Sequence, residues 1–171
     1  MTDMKPVVSI IMGSTSDLPV MEKAAAFLDS LQVPFEMNAL SAHRTPAAVE
    51  EFAKGAQARG IKVIIAAAGM AAALPGVIAA NTNVPVIGVP IKGMLDGLDA
   101  MLSIIQMPPG IPVATVGVNG AQNAAILAAQ ILAVADTELA ARLAAHKEGL
   151  KDKIEKANAE LSQVKYQFKT N

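Results

Sequence analysis

The fold is decided by Val7–Met12 (VVSIIM) and by the segment GSTSD that follows it at Gly13–Asp17. The first segment is a short apolar run rich in β-branched residues, which is typical of a strand buried on both faces of a parallel sheet. The run stops at a glycine, and Pro19–Leu31 then shows apolar residues at helical spacing with proline in the first turn. Strand, loop and helix predict the first unit of an α/β fold.

The same unit recurs along the chain. Further strands are predicted at Phe35–Leu40, Val63–Ala68, Val84–Val89 and Pro112–Val118. Helices are predicted from Pro46, with Thr45 as N-cap, to Arg59-Gly60, and at Ala71–Ala80, Asp96–Gln106 and Ala121–Ala135. Repeated βα units with short links predict a parallel sheet with right-handed crossovers and helices on both faces.

The segment from Thr137 to Phe168 has a different pattern. One apolar stripe runs through lysine- and glutamate-rich sequence, and it consists of Leu139, Leu143, Leu150, Ile154, Ala157, Leu161, Val164 and Phe168. Such a long amphipathic helix needs a surface to cover. That surface belongs either to its own domain or to a neighbouring subunit, and we favour the neighbour because the five-strand core already has its helices.

Composition limits the possible functions. The chain has 171 residues, of which 53% are hydrophobic and 17% charged, so one domain is expected over residues 1–171, with a core at about 5–135. A net charge of -1 and a pI near 6.1 argue against sequence-independent nucleic-acid binding. A mean hydropathy of +0.41 is high for a small monomer and favours an oligomer.

Cysteine content and the apolar runs limit the location. The absence of cysteine removes disulfides, thiolate catalysis and thiolate metal sites, and it is compatible with a cytoplasmic protein. The first residues, MTDMKPVVSI, show no signal-peptide pattern, and glycine, proline or polar residues interrupt every long apolar run. No membrane span is therefore expected.

The first loop of interest is Gly13–Asp17. Ligands of open parallel sheets bind beyond the carboxyl ends of the strands, near the point where strand order reverses. This loop offers a glycine, several hydroxyls and the start of a helix, which together suit a phosphate group. The alternative is that Ser16 or Asp17 caps the helix. Asp17 is also able to accept hydrogen bonds from a ribose.

The second loop, Ser41–Pro46, holds His43 directly beside Arg44. Imidazole transfers protons near neutral pH, and a guanidinium binds phosphate through paired hydrogen bonds. The pair therefore suggests proton transfer on a phosphorylated substrate. The alternative is a surface loop in which both side chains are merely solvated.

Three further segments are ambiguous. In Ala66–Gly76 the small residues allow the backbone to approach a flat ligand, or they serve close helix–strand packing. The loops at Pro90–Gly97 and Gln106–Gly110 either line a pocket or only connect elements. His146 lies in the charged C-terminal helix and is read as a surface or interface residue.

The chain resembles the class I N5-carboxyaminoimidazole ribonucleotide mutases, the PurE family of purine biosynthesis. The resemblance rests on IIMGSTSD (Ile10–Asp17), SAHRTP (Ser41–Pro46), LPGVIAA (Leu74–Ala80), PVIGVP (Pro85–Pro90), GLDAMLSIIQMPPGIPVATV (Gly97–Val116) and NAAILAAQIL (Asn123–Leu132). It implies a three-layer α/β/α sandwich with a flavodoxin-like parallel sheet, assembled as a homo-octamer with a long C-terminal oligomerisation helix at about 137–168. It also implies conversion of N5-carboxyaminoimidazole ribonucleotide to 4-carboxyaminoimidazole ribonucleotide with neither metal nor organic cofactor, coupled to the synthetase that makes the substrate.

The resemblance also implies roles for individual residues. His43 would be the general acid-base, while Ser14, Ser16, Asp17 and Arg44 would hold phosphate and ribose. The expected substrate-binding set is completed by Gly13, Ser41, Ala68, Gly69 and Leu74. The chain departs from the family pattern in its third loop, where Ala73 replaces a second active-site histidine and Met70 replaces a glycine, which narrows the pocket.

Three rival functions differ from this one in the residues that they require. Class II enzymes carboxylate aminoimidazole ribonucleotide directly with carbon dioxide, but they usually carry lysine where this chain has Arg44. A flavodoxin-like electron carrier would need aromatic stacking, and the chain has no Trp and a single Tyr, Tyr166. A receiver domain would need an acidic residue at the end of the third strand, where alanines stand.

Overall fold

The protein is built around a five-stranded parallel sheet, seen in a computed structural model that describes residues 4–171. The strands are β1 (Val8–Met12), β2 (Phe35–Ala39), β3 (Val63–Gly69), β4 (Val86–Ile91) and β5 (Ala114–Thr115). They lie in the order β2-β1-β3-β4-β5, and every neighbouring pair is parallel. Strand order therefore reverses between β1 and β3, where the chain has moved from one half of the sheet to the other.

Helices cover both faces of the sheet. They are α1 (Leu18–Ser30), α2 (Pro46–Gly55), α3 (Leu74–Asn81), α4 (Leu98–Ile105), α5 (Ala121–Ala133) and α6 (Thr137–Gln163). Alternate residues of β1 point to opposite faces: Ile10 packs in a core with α1 and α5, and Ile11 packs in a second core with α2, α3 and α4. This arrangement confirms the predicted three-layer α/β/α sandwich.

Two helices begin later in the sequence than the apolar spacing predicts. Helix α3 begins at Leu74 rather than at Ala71, because Pro75 fits only the first turn of a helix. Helix α4 begins at Leu98 rather than at Asp96, because Asp96 has a positive φ of 55°. Right-handed helices exclude such left-handed residues.

Two elements are shorter than predicted. Strand β5 contains only Ala114 and Thr115 instead of the predicted Pro112–Val118, since Pro112 has no N–H to pair and a turn closes from Gly120 N–H to the Gly117 carbonyl. Helix α2 ends at Gly55, and the residues up to Gly60 form turns instead of helix.

The C-terminal helix was predicted to reach Phe168 but ends at Gln163. The following residue, Val164, is extended, with ψ of 120°. The distal half of α6 is exposed, so no packing offsets the low helix propensity of the β-branched and aromatic residues Val164, Tyr166 and Phe168. The helix therefore ends before these three residues, because no packing stabilises them in a helical conformation.

The proximal part of α6 packs on its own chain. Leu139 is 2% exposed, and Arg142 Nε donates a hydrogen bond of 2.9 Å to the Leu31 carbonyl at the end of α1. The ring of His146 stands edge-on to Phe27, with 4.8 Å between centroids. His146 was read as a surface or interface residue, and it lies at this contact between α6 and α1, where its Nε2 is buried.

The helices described in residues 4–171 offer no membrane span, since none is both long and apolar enough to cross a bilayer. The longest of them, α6, is rich in lysine and glutamate. Its charge excludes it from the hydrocarbon interior.

We predict that Gly88→Ala destabilises the protein by about 1 to 3 kcal/mol through overpacking. A Cβ at this position in β4 would lie 2.4 Å from Ile104 Cγ2 of α4, which is closer than carbon atoms tolerate. Thermal unfolding at a fixed protein concentration measures the loss.

Gly149→Ala is the matched control. Gly149 lies inside α6, and a Cβ there would meet no atom within 4 Å. The same glycine-to-alanine change should therefore raise stability by about 0.5 to 1 kcal/mol through helix propensity. Equal effects of the two substitutions would contradict the close approach of α4 to β4.

Candidate active site

A cavity of about 710 Å³ opens at the carboxyl ends of β1 to β4. Its walls come from the loops that follow these four strands, as expected for an open parallel sheet. Every residue predicted for the site lines this cavity: Gly13, Ser14, Ser16, Asp17, Ser41, His43, Arg44, Ala68, Gly69 and Leu74. The structure therefore brings together three loops that are separated by up to about 60 residues in the sequence.

The loop after β1 forms a single 3-10 turn at Thr15–Asp17 before α1 begins. Ser14 caps this turn, because its Oγ accepts a hydrogen bond of 3.2 Å from the Ser16 N–H. Asp17 occupies the N-cap position of α1, but its side chain makes no capping hydrogen bond. The alternative of capping by Ser16 or Asp17 is therefore wrong, and both residues line the cavity.

The loop after β2 is a tight turn closed by Ser41 and Thr45. The Thr45 N–H donates to the Ser41 carbonyl at 2.8 Å, and the Ser41 N–H donates to Thr45 Oγ1 at 3.0 Å. Thr45 precedes α2 as predicted, but its hydroxyl binds back to Ser41 instead of capping the helix. Pro46 needs no N–H partner in the first turn. The turn thus presents the three residues between its ends, Ala42, His43 and Arg44, at the cavity.

Arg44 connects the first two loops. Its Nη2 donates a hydrogen bond of 2.8 Å to the Gly13 carbonyl, and its Nε lies 3.3 Å from Ser41 Oγ. These contacts use two of the five N–H donors of a guanidinium, which leaves three for a ligand. The alternative of a merely solvated arginine is wrong, since the side chain is held between the ends of β1 and β2.

His43 and Asp17 are the titratable groups that these loops bring to the cavity, and they differ in environment. His43 is exposed in the isolated chain, while Asp17 is half-buried. Burial raises the pKa of the Asp17 carboxyl above its usual value, and hydrogen bonds from Ser16 and from the Ser14 backbone partly oppose that rise. Within residues 4–171, no three side chains of His, Cys, Asp or Glu gather as ligands for a metal ion.

The loop after β3 forms the apolar wall. Ala68 and Leu74 are buried, and Gly69, Met70, Ala71 and Ala73 line the cavity beside them. Met70 has a positive φ of 57° and is 65% exposed, so its side chain stands at the mouth of the cavity. Ala73 lies in the wall directly before α3 and adds no polar group.

The sequence reasoning left one part of the lining undecided. Ile91, Lys92 and Gly93, at the carboxyl end of β4, line the cavity together with the three predicted loops. The strand-end rule that identified the other loops applies equally to β4 and would have found them. The segment Gln106–Gly110, in contrast, does not contribute to the lining.

A family model described as AIR carboxylase matches residues 7–153. The chain belongs to this family. The AIR carboxylase domain so defined contains the complete sheet, all three predicted loops and the proximal half of α6. Family membership confirms the resemblance that the motifs carried.

Curated relatives of this AIR carboxylase domain carry two names. A protein of Pyrococcus abyssi named N5-carboxyaminoimidazole ribonucleotide mutase is 58% identical over 147 residues, which are 85% of this chain and 84% of the relative. A protein of Schizosaccharomyces pombe named phosphoribosylaminoimidazole carboxylase is 53% identical over 155 residues, which are 90% of this chain but 28% of that longer protein.

A solved structure shares the fold of this member of the AIR carboxylase family. The crystal structure of Treponema denticola PurE superimposes with a TM-score of 0.83 at 32% identity, and the alignment covers 92% of this chain and 99% of that one. The likeness over nearly the whole of both chains supports the predicted fold class.

We predict that Asp17→Asn makes the ligand-free protein more stable at neutral pH. Because burial raises the pKa of Asp17, the folded state favours the protonated form, and ionisation costs stability as pH rises above about 4. The amide stays neutral, so the stability difference between variant and parent should be absent near pH 3 and grow with increasing pH. Thermal unfolding across this range measures it, and a difference that shrinks with pH would contradict the direction of the shift.

Proposed function

We propose that the protein converts N5-carboxyaminoimidazole ribonucleotide to 4-carboxyaminoimidazole ribonucleotide in purine (IMP) biosynthesis. The single observation that carries this proposal is the meeting of His43 with Arg44, Ser14, Ser16 and Asp17 around one cavity. The names of relatives at more than half identity support the same reaction. A phosphorylated nucleotide with an acid-base reaction at its ring would use each of these groups.

The phosphate and ribose belong at the ends of β1 and β2. Arg44 offers unused guanidinium donors there, Ser16 adds a hydroxyl, and the first turn of helix adds backbone N–H groups and a positive dipole end. The carboxylate of Asp17 suits the ribose hydroxyls, which donate hydrogen bonds. This end of the nucleotide is bound without reacting, and it fixes the ring beside His43.

His43 would transfer one proton in each direction. In the first step the bond between the exocyclic nitrogen and the carboxyl carbon breaks, carbon dioxide departs, and the imidazolium of His43 protonates the nitrogen to give aminoimidazole ribonucleotide. Ring carbon C4 then attacks the carbon dioxide, and neutral His43 removes the proton from C4. The proton returns to its origin, so one imidazole serves as acid and base without another reagent.

The carbon dioxide must stay beside the ring between the two steps. The apolar wall of Ala68, Ala71, Ala73 and Leu74 presents no nucleophile to it. Ala73 contributes no acid or base to this wall, so proton transfer rests on His43 alone. The reaction as written requires neither a metal nor an organic cofactor.

We infer the cellular setting from the same resemblance. The enzyme would act in the cytoplasm as a homo-octamer, with the core of one domain carrying the site and the exposed distal half of α6 contacting a neighbouring subunit. The apolar residues Leu150, Ile154 and Leu161 on that half support such a contact. Its labile substrate would come from the N5-carboxyaminoimidazole ribonucleotide synthetase.

We predict that His43→Asn reduces turnover by about 10² to 10⁴-fold, the usual contribution of a general acid-base. His43 is exposed and lies in a turn closed by Ser41 and Thr45, so folding should persist. The rate at which 4-carboxyaminoimidazole ribonucleotide forms at saturating N5-carboxyaminoimidazole ribonucleotide measures the effect, and circular dichroism checks the fold.

His146→Asn is the matched control for that experiment. The only other histidine, His146, contacts Phe27, and neither residue lines the cavity. Loss of the His146 ring should lower stability slightly while leaving turnover unchanged. If His43→Asn retained the parent rate, the assignment of the general acid-base would be wrong.

The second candidate is direct carboxylation of aminoimidazole ribonucleotide by carbon dioxide. The name of the Schizosaccharomyces pombe relative favours it, and the cavity would hold that nucleotide equally well. The two reactions share an intermediate but differ in which compound enters from solution. Arg44 after the histidine favours the mutase.

Parallel assays with each substrate distinguish the candidates. We expect rapid turnover of N5-carboxyaminoimidazole ribonucleotide without added bicarbonate, and only slow carboxylation of aminoimidazole ribonucleotide at physiological bicarbonate. Carboxylation of aminoimidazole ribonucleotide with bicarbonate, and no turnover of N5-carboxyaminoimidazole ribonucleotide, would instead establish the carboxylase.

A further inference from the structure

Lys92 is the cationic residue of the cavity that the proposed mechanism does not use. Of the described residues that line the cavity, two carry a fixed positive charge, Arg44 and Lys92. Arg44 is held by Gly13 and Ser41 at the ends of β1 and β2. Lys92 follows β4 on the other side of β3, so its charge is separated from that of Arg44.

The spacing of the strands sets the distance between the two positive ends of the site. Strands β1 and β4 are separated by β3, and two strand spacings amount to about 10 Å. Ile91 pairs in register with Gly69 of β3, which places Lys92 beside the loop of Gly69 and Met70. The cavity thus has a cation at each end and the apolar wall of the third loop between them.

The backbone of Lys92 is fixed while its side chain is not. The Lys92 N–H donates to Asn119 Oδ1 at 2.9 Å, and the Asn119 N–H in turn donates to the Pro90 carbonyl at 2.8 Å. The ammonium pairs with Asp96 at 3.0 Å, but the side chains of this pair are 59% and 88% exposed. An ion pair so open to water contributes little stability, so a ligand anion is able to replace Asp96.

The proposed substrate and product both carry two anionic groups at opposite ends. One is the phosphate on the ribose, and the other is a carboxylate, which is on the exocyclic nitrogen in the substrate and on ring carbon C4 in the product. We propose that Lys92 binds the carboxylate of the carboxylated nucleotides, while Arg44 and the loop after β1 bind the phosphate. Lys92 then distinguishes a carboxylated ligand from aminoimidazole ribonucleotide. It also holds the carboxylate end of the nucleotide beside the loop that follows β3. This inference rests on the proposed function.

Binding of two nucleotides to Lys92→Met tests the inference. The probes are 4-carboxyaminoimidazole ribonucleotide and aminoimidazole ribonucleotide, titrated calorimetrically against the full-length protein. We expect Lys92→Met to weaken binding of the carboxylated nucleotide about tenfold, the usual effect of losing a charged hydrogen bond, and to leave binding of the uncarboxylated nucleotide unchanged. Lys92→Arg, which keeps the charge, should retain most of the affinity.

Asp96→Asn supplies a test of opposite sign. Asparagine tolerates the positive φ of 55° at this position, so the loop should keep its shape. Removal of the competing carboxylate should strengthen binding of the carboxylated nucleotide by about two- to threefold, again without effect on the other ligand. A purely structural role of the Lys92–Asp96 pair would not produce this gain.

Lys54→Met is the matched control, because Lys54 is a similarly exposed lysine that pairs with Glu50 on α2 outside the cavity. Equal weakening of both nucleotides in Lys92→Met would overturn the inference in favour of phosphate binding, and unchanged affinities for both would overturn it outright. In either case wild-type binding and turnover would persist. Failure of the proposed function would differ, since the wild-type protein would then bind neither nucleotide.

Discussion

The site depends on the parallel pairing of β1 between β2 and β3. This pairing aligns Met12 with Ala39 on one side and with Ala67 on the other, so β1 and β2 end at the same level of the sheet and β3 ends two residues further on. The loops that follow them are consequently neighbours in space. The interior of β1 is fully buried, with Val8, Ile10 and Ile11 at 0% exposure, so displacement of this strand would expose both cores at once.

Arg44 links the neighbouring loops after β1 and β2 through hydrogen bonds. An exposed guanidinium on a loop usually samples many rotamers, but this one is held by a carbonyl of the β1 loop and a hydroxyl of its own turn. The first contact lies across 31 residues of sequence and exists only because β1 and β2 are adjacent. A ligand phosphate would therefore meet donors that are already ordered, which reduces the entropy lost on binding.

The sequence predicted the elements well where one physical signal dominated. The buried strands Val8–Met12 and Val63–Gly69 were found almost to the residue, because a short, continuous β-branched run favours a strand that is buried on both faces. The residues predicted for the site line one cavity because strand ends and unusual side chains coincide in the loops after β1 and β2. The extent of β5 and of α6 was wrong, since both depend on how many partners the folded chain provides, which local spacing does not report.

Backbone strain made the loops after β3 and β4 harder to predict. Met70 after β3 and Leu95 after β4 both have positive φ, which costs about 1 to 3 kcal/mol at each residue, and composition gives no sign of it. Asn119 after β5 tolerates a positive φ and uses its side chain to fix the backbone of Lys92. Of the five non-glycine residues with positive φ in residues 4–171, four lie in the loops after β3, β4 and β5, and one, Gln32, follows α1. Such a distribution is expected if the loops are constrained by what the cavity must hold, because packing of the sheet alone would not require it.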